Sequence, residues 1–418
     1  MSGTTDLPFF FTWTAQREAR PFALAGGEGA WCRTEDGERW LDLASLIYQA
    51  NAGHGHGRIL DAVRAQVDRL CLAMPNAVYP EKTALAERLL AHAPAGFDKV
   101  LFTLGGAEAN ENAIKMARMF TGRVKLVSRE RSYHGATYGA LSLSGDRRRA
   151  PAGPGLADVV RVPDWDCPRC PAGLRGRGCD HPPLSHIPAV LEGGDVAAVV
   201  VESVVGGNGV RIPPPGYMRA IREACDRHGA LLVCDEVLTG FGRTGRWFAV
   251  EHGDGVVPDM ITCGKALTAG YGVLGAVLVH ERVARHFDHH VLWCGLTGYA
   301  HPLGVAAALE ALRVYEDESL VRRAAELEPR LRRGLEAAAA RCGAAGESRV
   351  IGLLSATDLS LDAAGWARLR EALRRRRVLA HPLPHIGALI LAPPLCIGEE
   401  DLDRGLRWVG DALEESCP

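Results

Sequence analysis

The chain has 418 residues, 47% of them hydrophobic and 23% charged, and a formal net charge of −2. That balance argues against nucleic acid or an anionic membrane as partner, and no apolar run reaches the length needed to span a bilayer. The opening "MSGTTDLPFFFTWTAQ" lacks the basic start and apolar core of a secretory signal, and twelve scattered cysteines fit free thiols in a reducing cytoplasm.

In chain order, residues 1–50 read as an N-terminal arm followed by a short hairpin. "DKVLFTLGG" is an apolar run ending in glycines, so it reads as a strand entering a turn. "AEANENAIKMARMF" then places Ala109, Ala113, Ile114, Ala117 and Phe120 on one side of a helix, with Gly122 as its stop. "VAAVVVES" and "ALLVCDE" are fully apolar runs that end in acids, and "PPGYMRAIREACDRHG" between them reads as a helix. Apolar strands joined by helices predict an α/β fold with a mostly parallel sheet covered on both faces. Residues 306–334 read as helical, ahead of a smaller α+β piece. The expected division is 1–50 for the arm and small-lobe segment, 51–300 for the large domain and 301–418 for the C-terminal domain. The arginine runs at 147–149 and 374–377 read as solvated faces.

Three features carry chemistry together. Gly105 and Gly106 lie between a strand and a helix start, where free N–H groups and the helix dipole favour a phosphate. Asp235 ends an apolar strand, and Lys265 sits in "PDMITCGKALTAGYG" with almost no other charge around it. Taken singly, these are a tight turn, a core-edge acid and a snorkelling lysine. As a set they are the parts pyridoxal phosphate needs: an amine for a Schiff base, an anion cradle and an acid for the ring nitrogen.

At "GGAEANENAIKMAR", "SYHGATYGALSLSG", "CDEVLTGFGRTG", "DMITCGKALTAGY" and "GLTGYAHPLGVAAALEAL" the chain resembles class III aminotransferases of the fold-type I pyridoxal phosphate superfamily. The resemblance runs from about Trp13 to Leu406. It implies a large domain with a mostly parallel sheet, plus a smaller lobe built from both termini. It also implies a homodimer with active sites at the interface, acting on small amine and oxo substrates. Gly106 and Ala107 would hold the phosphate, Tyr133 would stack on the ring, Asp235 would pair with the ring nitrogen and Val237 would pack on its other face. Lys265 would be the Schiff-base lysine, Thr297 would reach the neighbouring subunit's phosphate, Glu202 would stand behind the site and Trp13 would line the substrate pocket.

Departures from the family pattern bear on substrate. Members that use glutamate commonly carry arginine after the His-Gly of "YHG", glutamate in E-P-x-Q-G-E and arginine three residues before the C-terminal Pro-Pro-Leu. Here those positions hold Ala136, Gly207 and Ile390, with Ser203 and Val205 also differing. The paired loss leaves no lone buried charge and suggests a small oxo acceptor such as pyruvate, unless another arginine, Arg131 or Arg243, serves instead.

A Cys-rich loop at 164–186 holds Cys167, Cys170, Cys179 and His181, with His186 as a substitute, in a spacing that suits structural zinc. "GFGRTG" satisfies a dinucleotide pattern, but no helix opens after it. His54 and His56 in "NAGHGHG" lack further ligands for a metal. The alternatives to transamination are a decarboxylase, mutase or lyase on the same fold, or a non-catalytic zinc-ordered interaction protein.

Overall fold

The computed structural model describes residues 7–165, 186–253 and 255–417. Its strands are β1 (Leu24–Glu28), β2 (Trp31–Thr34), β3 (Arg39–Asp42), β4 (Phe97–Thr103), β5 (Lys125–Arg129), β6 (Val159–Val162), β7 (Val196–Glu202) and β8 (Leu231–Asp235). After these come β9 (Met260–Cys263), β10 (Gly275–His280), β11 (Ala345–Ile351), β12 (Leu354–Leu359), β13 (Val378–Leu379), β14 (His381–Leu383) and β15 (Ala388–Leu391).

The central sheet has seven strands in the order β4-β10-β9-β8-β7-β5-β6. β5 to β9 pair in parallel, and β10 runs antiparallel between β4 and β9. Its inner strands β7 and β8 are buried along their whole length and apolar up to their terminal acids because both faces are covered. In β8, Leu231 and Val233 pack with Ala113, Ile114 and Ala117 of helix Gly106–Thr121. Leu232 and Cys234 turn the other way, towards Met218, Ile221 and Ala224 of helix Tyr217–His228. Gly122 ends the first of these helices in the left-handed region, φ +67°, with its N–H bonded to the Arg118 carbonyl.

The small lobe draws on both ends of the chain. β13 pairs in parallel with β3, so residues near 378 complete the sheet begun by β1 to β3. A separate antiparallel sheet runs β11-β12-β15-β14.

Two expectations need correction. The helical stretch at 306–334 is two helices, Pro302–Asp317 and Leu320–Ala339, broken at Ser319, whose φ is +52°. A β-hydroxyl residue with a left-handed backbone cannot continue a right-handed helix. The thiols are not all free either: Cys342 and Cys417 form a disulfide that ties the end of one helix to the chain terminus, while the other seven described cysteines are unpaired. The arginines at 375–377 lie on a surface face, as expected, paired with Glu415, Asp411 and Glu38.

Candidate active site

The reactive candidates gather beyond the carboxyl ends of the sheet strands, where the approach to a parallel sheet is open. Asp235 closes β8, Glu202 closes β7, and the two are register partners. Gly106 follows β4, Tyr133 follows β5 and Lys265 follows β9 by two residues.

Asp235 is buried and fully engaged. Asn110 Nδ2 donates to its Oδ2 at 2.8 Å, His134 Nδ1 lies 2.7 Å from the same oxygen, and the Val237 N–H donates to Oδ1 at 3.0 Å. Thr262 fixes the Asn110 amide by donating to its oxygen at 2.8 Å. These partners hold the carboxylate in a single orientation. Asn110 and His134, which the sequence reading did not single out, are the side chains that orient this carboxylate. The available signal was an asparagine on the buried stripe of helix Gly106–Thr121, one turn after Gly106.

Lys265 has the left-handed φ of +41°, an uncommon conformation for a side chain of this size and one that collects at functional sites. Burial pushes its amine below the ordinary lysine value, against the opposing pull of Asp235 and Glu202, and Arg148 adds to the lowering. Gly264, just before it, is pressed against the backbone of Gly106, so a Cβ there would lie 3.0 Å from the Gly106 nitrogen. The lysine is thereby seated beside the start of helix Gly106–Thr121.

That helix start carries no side-chain cap, so the N–H groups of its first turn point outward with the positive end of the dipole. A Cβ on Gly105 would meet nothing within 4 Å, whereas one on Gly106 would lie 2.5 Å from Val237 Cγ1. The cradle is open on the anion side and closed on the Val237 side. Ala107, the next residue, packs against Gly135, which joins the helix start to the "YHG" turn.

Glu202 is buried; its Oε1 accepts the Tyr133 N–H at 3.1 Å and its Oε2 the Gly206 N–H at 2.9 Å. Burial raises its carboxyl above the usual range. Tyr133 and Trp13 meet edge to face with ring centroids 6.3 Å apart. Over the Tyr133 ring, 3.6 Å from its centroid, lies the guanidinium of Arg148, which Asp146 grips with both oxygens at 2.9 and 3.0 Å. The expectation that 147–149 is merely a solvated face is therefore wrong for Arg148. Its short turn after the "SLSG" segment folds back over the site instead of away from it.

Thr297 is exposed on the described chain. Arg243 is fully buried and committed to the scaffold: it donates to the Leu353 carbonyl at 2.9 Å and Ser45 Oγ at 2.9 Å, and to Pro393 and Asn51. It is not available as a replacement substrate arginine. "GFGRTG" is thus a scaffold loop, and His54 is bound to Asp42 at 2.9 Å. Cys167, Cys170, Cys179 and His181 lie outside the described residues. Among the described residues no group of three metal-binding side chains is present.

The class III aminotransferase family matches residues 14–413. The chain belongs to the class III aminotransferases. It is 37% identical over 401 residues to the acetylornithine aminotransferase of Methanopyrus kandleri, covering 95% of each chain. It is 34% identical to the adenosylmethionine-8-amino-7-oxononanoate aminotransferase of Nitratidesulfovibrio vulgaris, covering 94% of this chain and 77% of that one. Among solved structures, the taurine:2-oxoglutarate aminotransferase of Bifidobacterium kashiwanohense, in complex with PLP and glutamate, is similar at a TM-score of 0.89 and 35% identity, covering 97% and 94% of the two chains. The chain is thus a pyridoxal-phosphate-dependent aminotransferase with a fold-type I architecture. The uncapped helix start, the oriented carboxylate and the desolvated amine fit that cofactor.

Proposed function

We propose that the enzyme moves an amino group from an ω-amine or apolar amine donor to a small oxo acceptor such as pyruvate. Bound pyridoxal phosphate supplies an aldehyde carbon for the substrate amine and a protonated ring that accepts the electron pair of the broken Cα–H bond. In this reading Lys265 is the general base and acid: burial keeps its amine ready to take the substrate proton and to return it. Asp235, oriented by Asn110, His134 and Val237, would be the acid that pairs with the ring nitrogen. Gly106 and Ala107 offer N–H donors to the phosphate. Tyr133, held through its N–H by Glu202, and Val237 confine the ring from its two faces, and Trp13 borders the substrate.

One observation carries the choice of substrate. Ile390 is fully buried in an apolar wall with Val204, Leu238 and Tyr48, and a Cβ on Gly207 would meet nothing within 4 Å. The charged clamp found in glutamate-using members has neither partner here. Half-reaction rates with alanine and with glutamate, with the oxo product identified, test this reading. Faster reaction with alanine is expected, and a clear preference for glutamate refutes it. Release of carbon dioxide or of an unsaturated product without a matching amine would instead support the decarboxylase or lyase alternatives.

The homodimer belongs to the same proposal. Phe10, Leu72, Val78 and Trp293 each expose 72% or more of their surface, and a second copy would cover such side chains. The unpaired cysteines support a cytoplasmic location, and the Cys342–Cys417 bond is the feature such a location must tolerate. Zinc on Cys167, Cys170, Cys179 and His181 is proposed from spacing alone. Stoichiometric zinc after chelator-free purification is expected, and its absence ends the idea.

A further inference from the structure

The segment ahead of β1 has a shape of its own. The Phe11 N–H donates to Gln16 Oε1 at 2.9 Å, and Gln16 Nε2 donates to the Phe11 carbonyl at 2.8 Å and to that of Thr14 at 3.2 Å. Phe9 and Phe11 meet edge to face with ring centroids 5.5 Å apart. These contacts are local: they shape the segment without attaching it. Trp13 reaches the large domain. Its backbone is left-handed, φ +61°, which a bulky residue adopts only where its surroundings hold it. Yet Trp13 is 59% exposed, so enclosure is not what seats it.

Two partners meet the indole. Tyr133 lies edge to face with it, and the Arg148 guanidinium stands 5.3 Å from its centroid. The same guanidinium lies 3.6 Å over the Tyr133 ring. Asp146 fixes both the backbone and the head of this arginine. Its Oδ1 accepts the Arg148 N–H at 2.8 Å, and its two oxygens accept from the guanidinium at 2.9 and 3.0 Å. The Tyr138 hydroxyl ties the far end of the turn by donating to the Ala152 carbonyl. A planar guanidinium can be held at its edge by a carboxylate while its face attracts aromatic rings. The charge is felt at Lys265 and at the phenols of Tyr133 and Tyr48, so Arg148 stands within reach of all three.

We propose that Arg148 is a positioning residue: its guanidinium, shared between Trp13 and Tyr133, clasps the N-terminal segment onto the large domain and so builds one wall of the substrate site. The wall rests on reading Trp13 as a border of that site; the clasp does not. Arg148 acts here through two rings and not through a bond to substrate. It therefore governs how the body of the donor fits, not whether the donor carries an acid.

Hydrogen exchange read by mass spectrometry tests the clasp without turnover, on the wild-type holoenzyme and on Arg148→Gln, Arg148→Lys and Trp13→Ala. Arg148→Gln and Trp13→Ala each speed exchange in the peptide 9–18 about fivefold or more, while peptides from β7 and β8 keep their wild-type rates. Lysine keeps the cation but loses the planar stack, so Arg148→Lys falls between wild type and Arg148→Gln. The double variant Trp13→Ala with Arg148→Gln exchanges no faster than Trp13→Ala alone, because the two side chains share one contact. In turnover, Arg148→Gln raises the KM for propylamine and for 3-aminopropanoate alike, by about threefold, and keeps kcat within about twofold. Where Arg148→Gln fails to fold, Arg148→Lys against wild type carries the comparison. The proposal falls if exchange in 9–18 is the same in wild type and variants, if exchange rises alike across the large domain, or if Arg148→Lys is no better than Arg148→Gln. It falls equally if Arg148→Gln leaves 9–18 protected and raises the KM for 3-aminopropanoate alone, which would make Arg148 a substrate ligand. If exchange responds as stated while the wild type uses neither amine, the clasp stands and the reading of the donor class fails.

Discussion

Lys265 combines a buried amine with a backbone conformation that side chains rarely adopt, and both have consequences that can be measured. Because burial lowers its folded pKa from the ordinary 10.5, the unfolded chain binds the proton more tightly. The cost of the buried ammonium is fully present below the folded pKa and is relieved as pH rises through it towards 10.5. Lys265→Met should therefore make the cofactor-free protein more stable at pH 7, with an advantage that shrinks as pH approaches 10. Urea unfolding of both proteins across that range checks the sign, and an advantage that grows with pH would contradict it. In the loaded enzyme, Lys265→Ala should abolish turnover and the visible absorption band of lysine-bound cofactor. Asp235→Asn keeps the shape of the site but removes the charge. The rate should fall by about 10²-fold or more while cofactor is still retained, as rapid-quench kinetics would show.

At the scale of elements, the strand-to-helix turn at Gly106 and the strand at Ile390 set the shape of the pocket. Gly106→Ala would drive a methyl to 2.5 Å from Val237, so the turn or the valine must move, at a cost of about 1–3 kcal/mol. Cofactor affinity should fall with it, which fluorescence titration would report. Ile390→Arg would bury a guanidinium in the apolar wall beside Leu238 and Val204, at a cost of about 3–5 kcal/mol. Adding Gly207→Glu should recover part of that loss, and a double-mutant cycle that comes out additive would show that the two positions do not face each other. These elements were mostly legible in the sequence. The apolar runs of β7 and β8 signalled burial on both faces, and their terminal acids signalled the end at which the site lies. Arg148 was not legible, because a run of three arginines after a turn carries no periodicity. Only the chain's return over Tyr133, fixed by the Asp146 fork, draws the middle one onto the ring and leaves it partly buried. The break at Ser319 was missed for a similar reason: helical composition continues on both sides of it, and a single left-handed residue has no signature when it is not glycine or asparagine.

At the scale of the molecule, the question is whether one chain contains a whole site. Lys265, Asp235, Gly106 and Tyr133 converge within one chain, yet Thr297 is exposed, next to a stretch that includes the exposed Trp293. If Thr297 serves the neighbour's phosphate, Thr297→Ala should weaken cofactor binding by about tenfold, the worth of one charge-assisted hydrogen bond. The decisive measurement combines this variant with Lys265→Ala in differently tagged subunits, purified as mixed dimers. In such a dimer the Lys265 site of one subunit receives an intact Thr297 from the other, and the second site carries both lesions. At limiting cofactor the mixed dimer should therefore show about half the wild-type activity, well above either parent. If each site instead drew only on its own chain, the mixed dimer would retain half the activity of the Thr297→Ala parent and no more. The recovery separates a site shared across the interface from a dimer that merely covers apolar surface.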